Sequence, residues 1–399
     1  MTINIYNDFF SSDDSGPDKS VWGQLKRYKQ ENSISDDEIR FTYQSDKFEN
    51  TLYFLSLDAV SNLDNGHINF IASEMVRLEG WCSTSILVID ATLEDFVGLN
   101  YYKLLHQMAN RGVPANKVKI LTSQSAIHNF KEEFYCPFEV IHYDMFASAF
   151  HNHATDKNLF REIKPRQLEK HLICFMKRPR LLRVIANGFM RSRGYDKQSH
   201  YSWHFDINET RNFYDFEKTI ALMVDDISYV LDDDHIKEEI YDSIEGDKEW
   251  IFDTYVTDTG GINMPMETHR RLDSCNIFNE NLKILDNSFL TEKTYKNFAY
   301  GVPFIGFGIP NYSTILLDLG YHCWDNFFDT VIDNSSYKAC LNSYFKLIDE
   351  ICAMPLEQLQ DRLNSKESLD MLQHNQTLYN QRNEIKLLIK KLNNLFKDK

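Results

Sequence analysis

The sequence has no paired cysteines. Cys82, Cys136, Cys174, Cys275, Cys323, Cys340 and Cys352 are odd in number and scattered, with no CxxC and no Cys/His cluster. That spacing argues against a disulfide framework or a zinc site and fits reduced thiols. No stretch of about 18 apolar residues occurs, so no membrane-spanning helix is expected. Met1-Thr2-Ile3-Asn4 opens without a basic region and an apolar core, so no signal peptide is expected, and the expected location is cytoplasmic. Glycine (15) and proline (9) are sparse among 399 residues. Neither an internal repeat nor a low-complexity segment interrupts the chain. Positive charge is in deficit: 43 Lys and Arg face 59 Asp and Glu, a net charge of -16. Such a surface disfavours non-specific contact with nucleic acid or acidic membranes. The chain is instead rich in core-forming side chains, 43% hydrophobic with 28 Phe and 21 Tyr. This is enough for two or three packed domains and excludes disorder as the main state.

The first half reads as strands alternating with helices. Ile3 to Tyr6 is a strand, followed by the polar turn Ser11 to Pro17, which contains Asp13. A loop after the first strand is a usual ligand-contact position in α/β folds, although a plain solvated turn is the simpler reading of any one residue there. Ser85 to Asp90 is the clearest strand, apolar on both faces, with Glu94 and Asp95 just beyond it. Lys117 to Leu121 and Phe138 to His142 follow as further strands, a helix over Tyr101 to Asn110 preceding them. This order predicts parallel βαβ units in a doubly wound sheet. The composition turns polar over 151–170, where a linker is expected.

A second unit opens at the buried strand His171 to Met176. It runs into Lys177-Arg178-Pro179-Arg180-Leu181-Leu182-Arg183. Pro179 suits a first helical turn. Leu182, Ile185, Ala186 and Phe189 keep core-facing helical spacing. Four cations at a strand-to-helix switch, in an acidic chain, point to an anion site, against the plainer alternative of surface-charge balance. Asp225-Asp226 and Asp232-Asp233-Asp234 read as solvated acidic turns rather than metal ligands, because no buried strand end precedes them. No metal is expected.

The stretch Phe289-Leu290-Thr291-Glu292-Lys293-Thr294-Tyr295-Lys296, with Gly301-Val302-Pro303-Phe304-Ile305-Gly306, predicts a capped helix, a glycine stop and a buried strand. Thr291 is the expected N-cap and Gly301 the left-handed stop. Glu292 and Lys293 then sit at a helix N-terminus, where a carboxylate can accept ribose hydroxyls and an ammonium can meet a phosphate. An ordinary capped helix with a surface ion pair is the competing reading. Ile385, Leu388, Ile389, Leu392 and Phe396 form one apolar stripe, expected to pack on the body.

On these residues the second half resembles the nucleotide-sugar domain of GT-B-type glycosyltransferases, in particular α-1,3-fucosyltransferase-like enzymes and glycosyltransferase-like proteins of large tailed phages. Gly308-Ile309-Pro310, Leu319-Gly320-Tyr321 and Ile332-Asp333 extend the likeness, which covers about residues 170 to 335. The resemblance implies two Rossmann-like domains, 1–165 on the acceptor side and 166–350 for the donor, with C-terminal helices over 351–399 packing back on the body. It implies a UDP- or GDP-sugar donor held by Arg178, Arg180, Arg183, Glu280, Thr291, Glu292 and Lys293, and inversion without a metal. Glu292 would bind the ribose and Lys293 the diphosphate. The general base would be a carboxylate of the first domain: Glu94, Asp90 or Asp13. Phe289 stands where the fucosyltransferase pattern has tyrosine, which removes a hydroxyl contact and the reason to expect fucose. The implied acceptor is a glycan or other small molecule, or hydroxymethylcytosine in phage DNA, for which Lys164, Arg166, Lys170, Arg191 and Arg193 would line a basic cleft. A reading from another class is a non-catalytic nucleotide- or glycan-binding protein on the same scaffold.

Overall fold

Two parallel sheets organise the chain, seen in a computed structural model. The structure describes residues 3–7, 21–35, 39–42, 51–56, 86–92, 106, 109–110, 114–123, 138–177, 181–204, 253–266, 290–307, 310–335 and 337–395. The backbone divides into two units, 1–153 with 382–399, and 154–381.

The first unit holds β1 (Ile3–Asn7), β2 (Ile39–Thr42), β3 (Thr51–Ser56), β4 (Ile86–Ala91), β5 (Val118–Thr122) and β6 (Glu139–His142). Their order is β2-β1-β3-β4-β5-β6, with every pair parallel. The order reverses between β1 and β3, which makes the sheet doubly wound and Rossmann-like. The β4 side chains Ile86 to Asp90 are all buried, as expected of a strand covered on both faces. Helices α1 (Val21–Glu31) and α2 (Met145–Asp156) belong to this unit in whole or in most part, and α10 (Glu384–Asn394) returns to it. Ile385, Leu388 and Leu392 of α10 share one core with Val21, Trp22 and Leu25 of α1 and with Ile86 and Val88 of β4. The apolar stripe of the last helix therefore buries against the first unit, far from it in sequence. Phe396 lies outside the described residues.

The second unit is built on β7 (Lys170–Lys177), β8 (Ser199–His204) and β9 (Gly260–Asn263), order β8-β7-β9, again parallel. Among the described residues its helices are α3 (Leu181–Ser192), α4 (Thr254–Thr259), α5 (Glu292–Tyr300), α6 (Tyr312–Asp318), α7 (Tyr337–Ala353), α8 (Leu356–Leu363) and α9 (Lys366–Gln381). The run Val302 to Ile305 extends the sheet beside β9, but as a bridge at Phe304 rather than as a full strand. The Asn263 amide donates to the Pro303 carbonyl at 2.8 Å, and the Ile305 amide donates to the Asn263 carbonyl at 3.1 Å. Pro303 has no amide to continue the ladder, which limits the pairing to these bonds.

His142 gives the first unit a pH dependence. Burial, aided by Lys391 and Arg382, pulls its imidazole down to about 4 against an opposing hydrogen bond with the Ser123 backbone. The unfolded chain takes that proton below about pH 6.5, so it binds more protons than the native state between the two values. Stability is therefore expected to fall as pH drops from about 6.5 to about 4, by up to about 3 kcal/mol. Urea unfolding at pH 7 and pH 4.5 checks this. His142→Gln is expected to remove most of the difference, and an unchanged pH slope in that variant would refute the assignment.

Candidate functional site

The carboxyl edge of the second sheet collects two helix N-termini. β7 ends at Lys177 and α3 begins at Leu181, four positions later. α5 leads into Val302 to Phe304, which run parallel to β9. A helix that returns to the start of a parallel strand begins at the opposite, carboxyl edge. Strand order reverses between β7 and β9, so this edge is the one where doubly wound sheets open a crevice.

The first turn of α5 is built as its sequence predicts. Thr291 is extended (φ -117, ψ -175) and its hydroxyl accepts from the Lys293 amide at 3.3 Å. Gly301 closes the helix in the left-handed region at φ 64. A Cβ there would also stand 2.2 Å from Ile163 Cδ1, so that side-chain end would have to move aside. Buried Tyr295 and Phe298 hold the helix down, stacked on Tyr379 and Tyr321 with ring centroids 5.6 and 4.3 Å apart. Asn297, also buried, accepts from Asn263 Nδ2 at 2.6 Å and so ties α5 to the end of β9.

Glu292 and Lys293 stay accessible above this anchored body, their side chains 40% and 33% exposed. Lys293 Nζ lies 2.9 Å from the Thr291 hydroxyl and 3.5 Å from Glu292 Oε1. Partial burial pushes the Glu292 carboxyl up. Lys293 and Lys296, with hydrogen bonds from its own amide and from Thr291, outweigh that and hold it below the usual range. The carboxylate is thus ionised at neutral pH and acts only as an acceptor, the state suited to a pair of vicinal hydroxyls.

The other predicted donor contacts fall differently. Arg178, Arg180 and Glu280 lie outside the described residues, as do Phe289, Gly308 and Ile309. Arg183 is buried on α3 beside the core residues Leu182, Val184 and Ile185, and Asn187 accepts from the Tyr201 hydroxyl. The i, i+4 pair Arg183 and Asn187 therefore faces protein rather than solvent. Arg166, expected in a basic cleft, is half-buried and donates to the Thr257, Gly260 and Gly261 carbonyls. Burial pulls its guanidinium down to about 10. Lys170 donates to the Lys197 carbonyl at 2.7 Å. A hollow of about 390 Å3 in this unit, lined in part by Arg161, Lys164, Tyr300 and Gly301, sits at the C-terminal end of α5, away from Thr291.

Among the proposed bases, Asp13 and Glu94 lie outside the described residues. Asp90 is buried at the end of β4, where Oδ2 accepts from the Val21 amide at 3.2 Å. Oδ1 accepts from the Thr92 amide at 3.2 Å and the Thr92 hydroxyl at 2.7 Å. Its carboxylate caps the start of α1. Asp90→Ala is expected to cost about 2 kcal/mol of stability through the lost cap and the donors left buried. Thermal unfolding would show this, and a variant as stable as the parent would refute the capping role.

Sequence reading missed the residues behind α5. Tyr312 shares a hydrogen bond with Thr294 at 2.7 Å, and Asp325 accepts from the Gly306 amide at 2.8 Å. The only signal was a lone Asp among aromatic residues, Cys323-Trp324-Asp325-Asn326-Phe327. Among the described residues no group of three or more His, Cys, Asp or Glu is placed to hold a metal, and no helix is long and apolar enough to cross a membrane.

Neither a protein family nor a curated protein matches the chain. Solved structures give similarity at low identity. A UDP-forming α,α-trehalose-phosphate synthase from Burkholderia vietnamiensis is 9% identical, with 98% of this chain and 100% of that one covered and a TM-score of 0.41. An α,α-trehalose 6-phosphate synthase from Burkholderia multivorans is 9% identical, with 99% and 96% covered and a TM-score of 0.40. The UDP-forming synthase from Burkholderia xenovorans is 8% identical, with 99% of both chains covered and a TM-score of 0.40.

Proposed function

We propose that the protein is a GT-B-type glycosyltransferase that takes a UDP- or GDP-sugar and transfers the sugar to an acceptor hydroxyl. The observation that carries this reading is the first turn of α5: a Thr291-capped helix start with ionised, accessible Glu292 and Lys293, at the carboxyl edge of a doubly wound sheet. In this reading Glu292 accepts the ribose hydroxyls. Lys293, together with Arg178 and Arg180, which follow β7 in the sequence, neutralises the diphosphate as it departs. Thr291 keeps the turn in place, and Glu280 completes the donor side; Arg183, buried in α3, takes no part. These cations and the helix N-terminus supply the charge stabilisation that a metal gives in other transferases. A carboxylate takes the acceptor proton. Asp90 is already engaged in capping α1, so the role falls to Asp13 or Glu94. Inversion at the sugar carbon rests on the resemblance.

The acceptor proposed is a glycan or small molecule. The inward commitment of Arg166 and the net charge of -16 both disfavour a DNA groove. Incubation with a panel of UDP- and GDP-sugars, each with glycan acceptors or hydroxymethylcytosine DNA, followed by mass spectrometry, tests the proposal. A sugar mass gained on a glycan is the expected result. A gain on the DNA nucleoside would move the acceptor class, and neither transfer nor hydrolysis with any donor would overturn the enzyme reading in favour of a binding protein.

A further inference from the structure

A buried relay runs from the second unit's interior to the first turn of α5. Asp325 is fully buried, and its Oδ2 accepts from the Tyr344 hydroxyl at 2.7 Å while Oδ1 accepts from the Gly306 amide. Gly306 lies flat against the Tyr312 ring: a Cβ built on it would stand 1.9 Å from Tyr312 Cδ1. The hydroxyl of that same ring meets Thr294, which is fully buried in the α5 first turn, next to Lys293. The backbone at Gly306 cannot shift without moving Tyr312, and Tyr312 cannot move without disturbing Thr294. Groups one layer behind a binding site set its geometry in this way.

We propose that Asp325 is a positioning residue which, through Gly306 and Tyr312, sets the stance of the α5 first turn and thereby the affinity for the nucleotide. The affinity part rests on the donor reading of Glu292 and Lys293.

The groups facing Asp325 are the Gly306 amide, Tyr344 and Cys340 of α7, and Cys323, which also meets Ser313 of α6. Burial pushes the Tyr344 phenol and the Cys323 thiol far up, and Cys340 up to about 12, so all three stay neutral near pH 7. Burial also pushes the Asp325 carboxyl up, to about 6, against the hydrogen bonds from Tyr344, Gly306 and Cys323. Ionised Asp325 accepts from both the amide and the phenol. Once protonated, the carboxyl loses its charge and gains an O–H donor, so the bond with Tyr344 reverses direction and the bond from the Gly306 amide loses its charge assistance.

The test measures UDP and GDP affinity by calorimetry from pH 5 to pH 8, and amide exchange over 292–295 without nucleotide. It uses the full chain and the Asp325→Asn and Tyr312→Phe variants. In the parent protein, affinity is expected to fall about five-fold from pH 7.5 to pH 5, the scale of the charge assistance lost from these bonds. Asp325→Asn is expected to be about five-fold weaker at pH 7.5 and flat across the range. Tyr312→Phe keeps the ring and folds with it, yet exchange over 292–295 is expected to rise about five-fold. An unchanged pH slope in Asp325→Asn, or unchanged exchange in Tyr312→Phe, overturns the relay. Should Asp325→Asn not fold, the Tyr312→Phe exchange decides alone. Absence of any nucleotide binding by the parent would overturn the affinity role together with the donor reading, and the exchange result would still show separately whether the relay exists.

Discussion

Replacing Glu292 with alanine is expected to weaken UDP or GDP binding by about 10- to 100-fold, the range for a lost charge-assisted acceptor. Lys293→Ala is expected to do the same by removing a cation from the diphosphate. The reason for a large effect is that neither side chain supports the fold. Both are partly exposed, and the helix beneath them is held by Tyr295, Asn297 and Phe298. Thr291, whose hydroxyl also meets Lys293 Nζ, still caps the helix in either variant. Melting temperatures are therefore expected to stay within a few degrees of the parent. Calorimetric titration at low and moderate salt separates the two roles. The Lys293 contribution should shrink as salt rises, and the Glu292 contribution, made through hydrogen bonds to neutral hydroxyls, should change less. If both variants bound nucleotide as the parent does, the first turn of α5 would be an ordinary capped helix with a surface ion pair.

Phe298→Ala is expected to cost about 3 to 5 kcal/mol of stability, the largest effect of a single side chain proposed for the second unit. Phe298 is 1% exposed. Its ring stacks on Tyr321 at 4.3 Å and meets Tyr295 and Phe304 at 5.8 and 5.6 Å. These neighbours are rigid rings fixed by their own contacts, so the space left by the deletion cannot readily close. Phe298→Leu refills much of it and is expected to cost less, about 1 to 2 kcal/mol. Urea unfolding with an unchanged m-value measures both. A loss under about 1 kcal/mol for the alanine variant would mean that α5 is not seated on this aromatic layer. The consequence for function is direct: the residues that seat α5 are the ones that hold Glu292 and Lys293 at the sheet edge.

Several elements were legible because their cause is local. β4 could be read from an unbroken apolar run, since a parallel strand covered on both faces needs apolar side chains at every position. The start and stop of α5 could be read from Thr291 and Gly301, because capping and left-handed stops depend on one residue each. The stripe on α10 announced a packed face, although not its partner. Arg183 and Arg166 misled for the opposite reason. Charge and spacing show that a cation is present, but whether the Arg166 guanidinium faces solvent or a ring of carbonyls depends on Thr257 and Gly260, 91 and 94 positions away.

The sequence by itself determined the α/β class, the parallel strands and the capped turn that carries Glu292 and Lys293. Each follows from side-chain periodicity or from the conformational preference of a single residue. Only the tertiary structure decided that α10 joins the first unit, that Asp90 caps α1, and that Asp325 reaches Thr294 through Gly306 and Tyr312. Those relations are made by side chains that meet across the fold, between positions whose spacing along the chain carries no period.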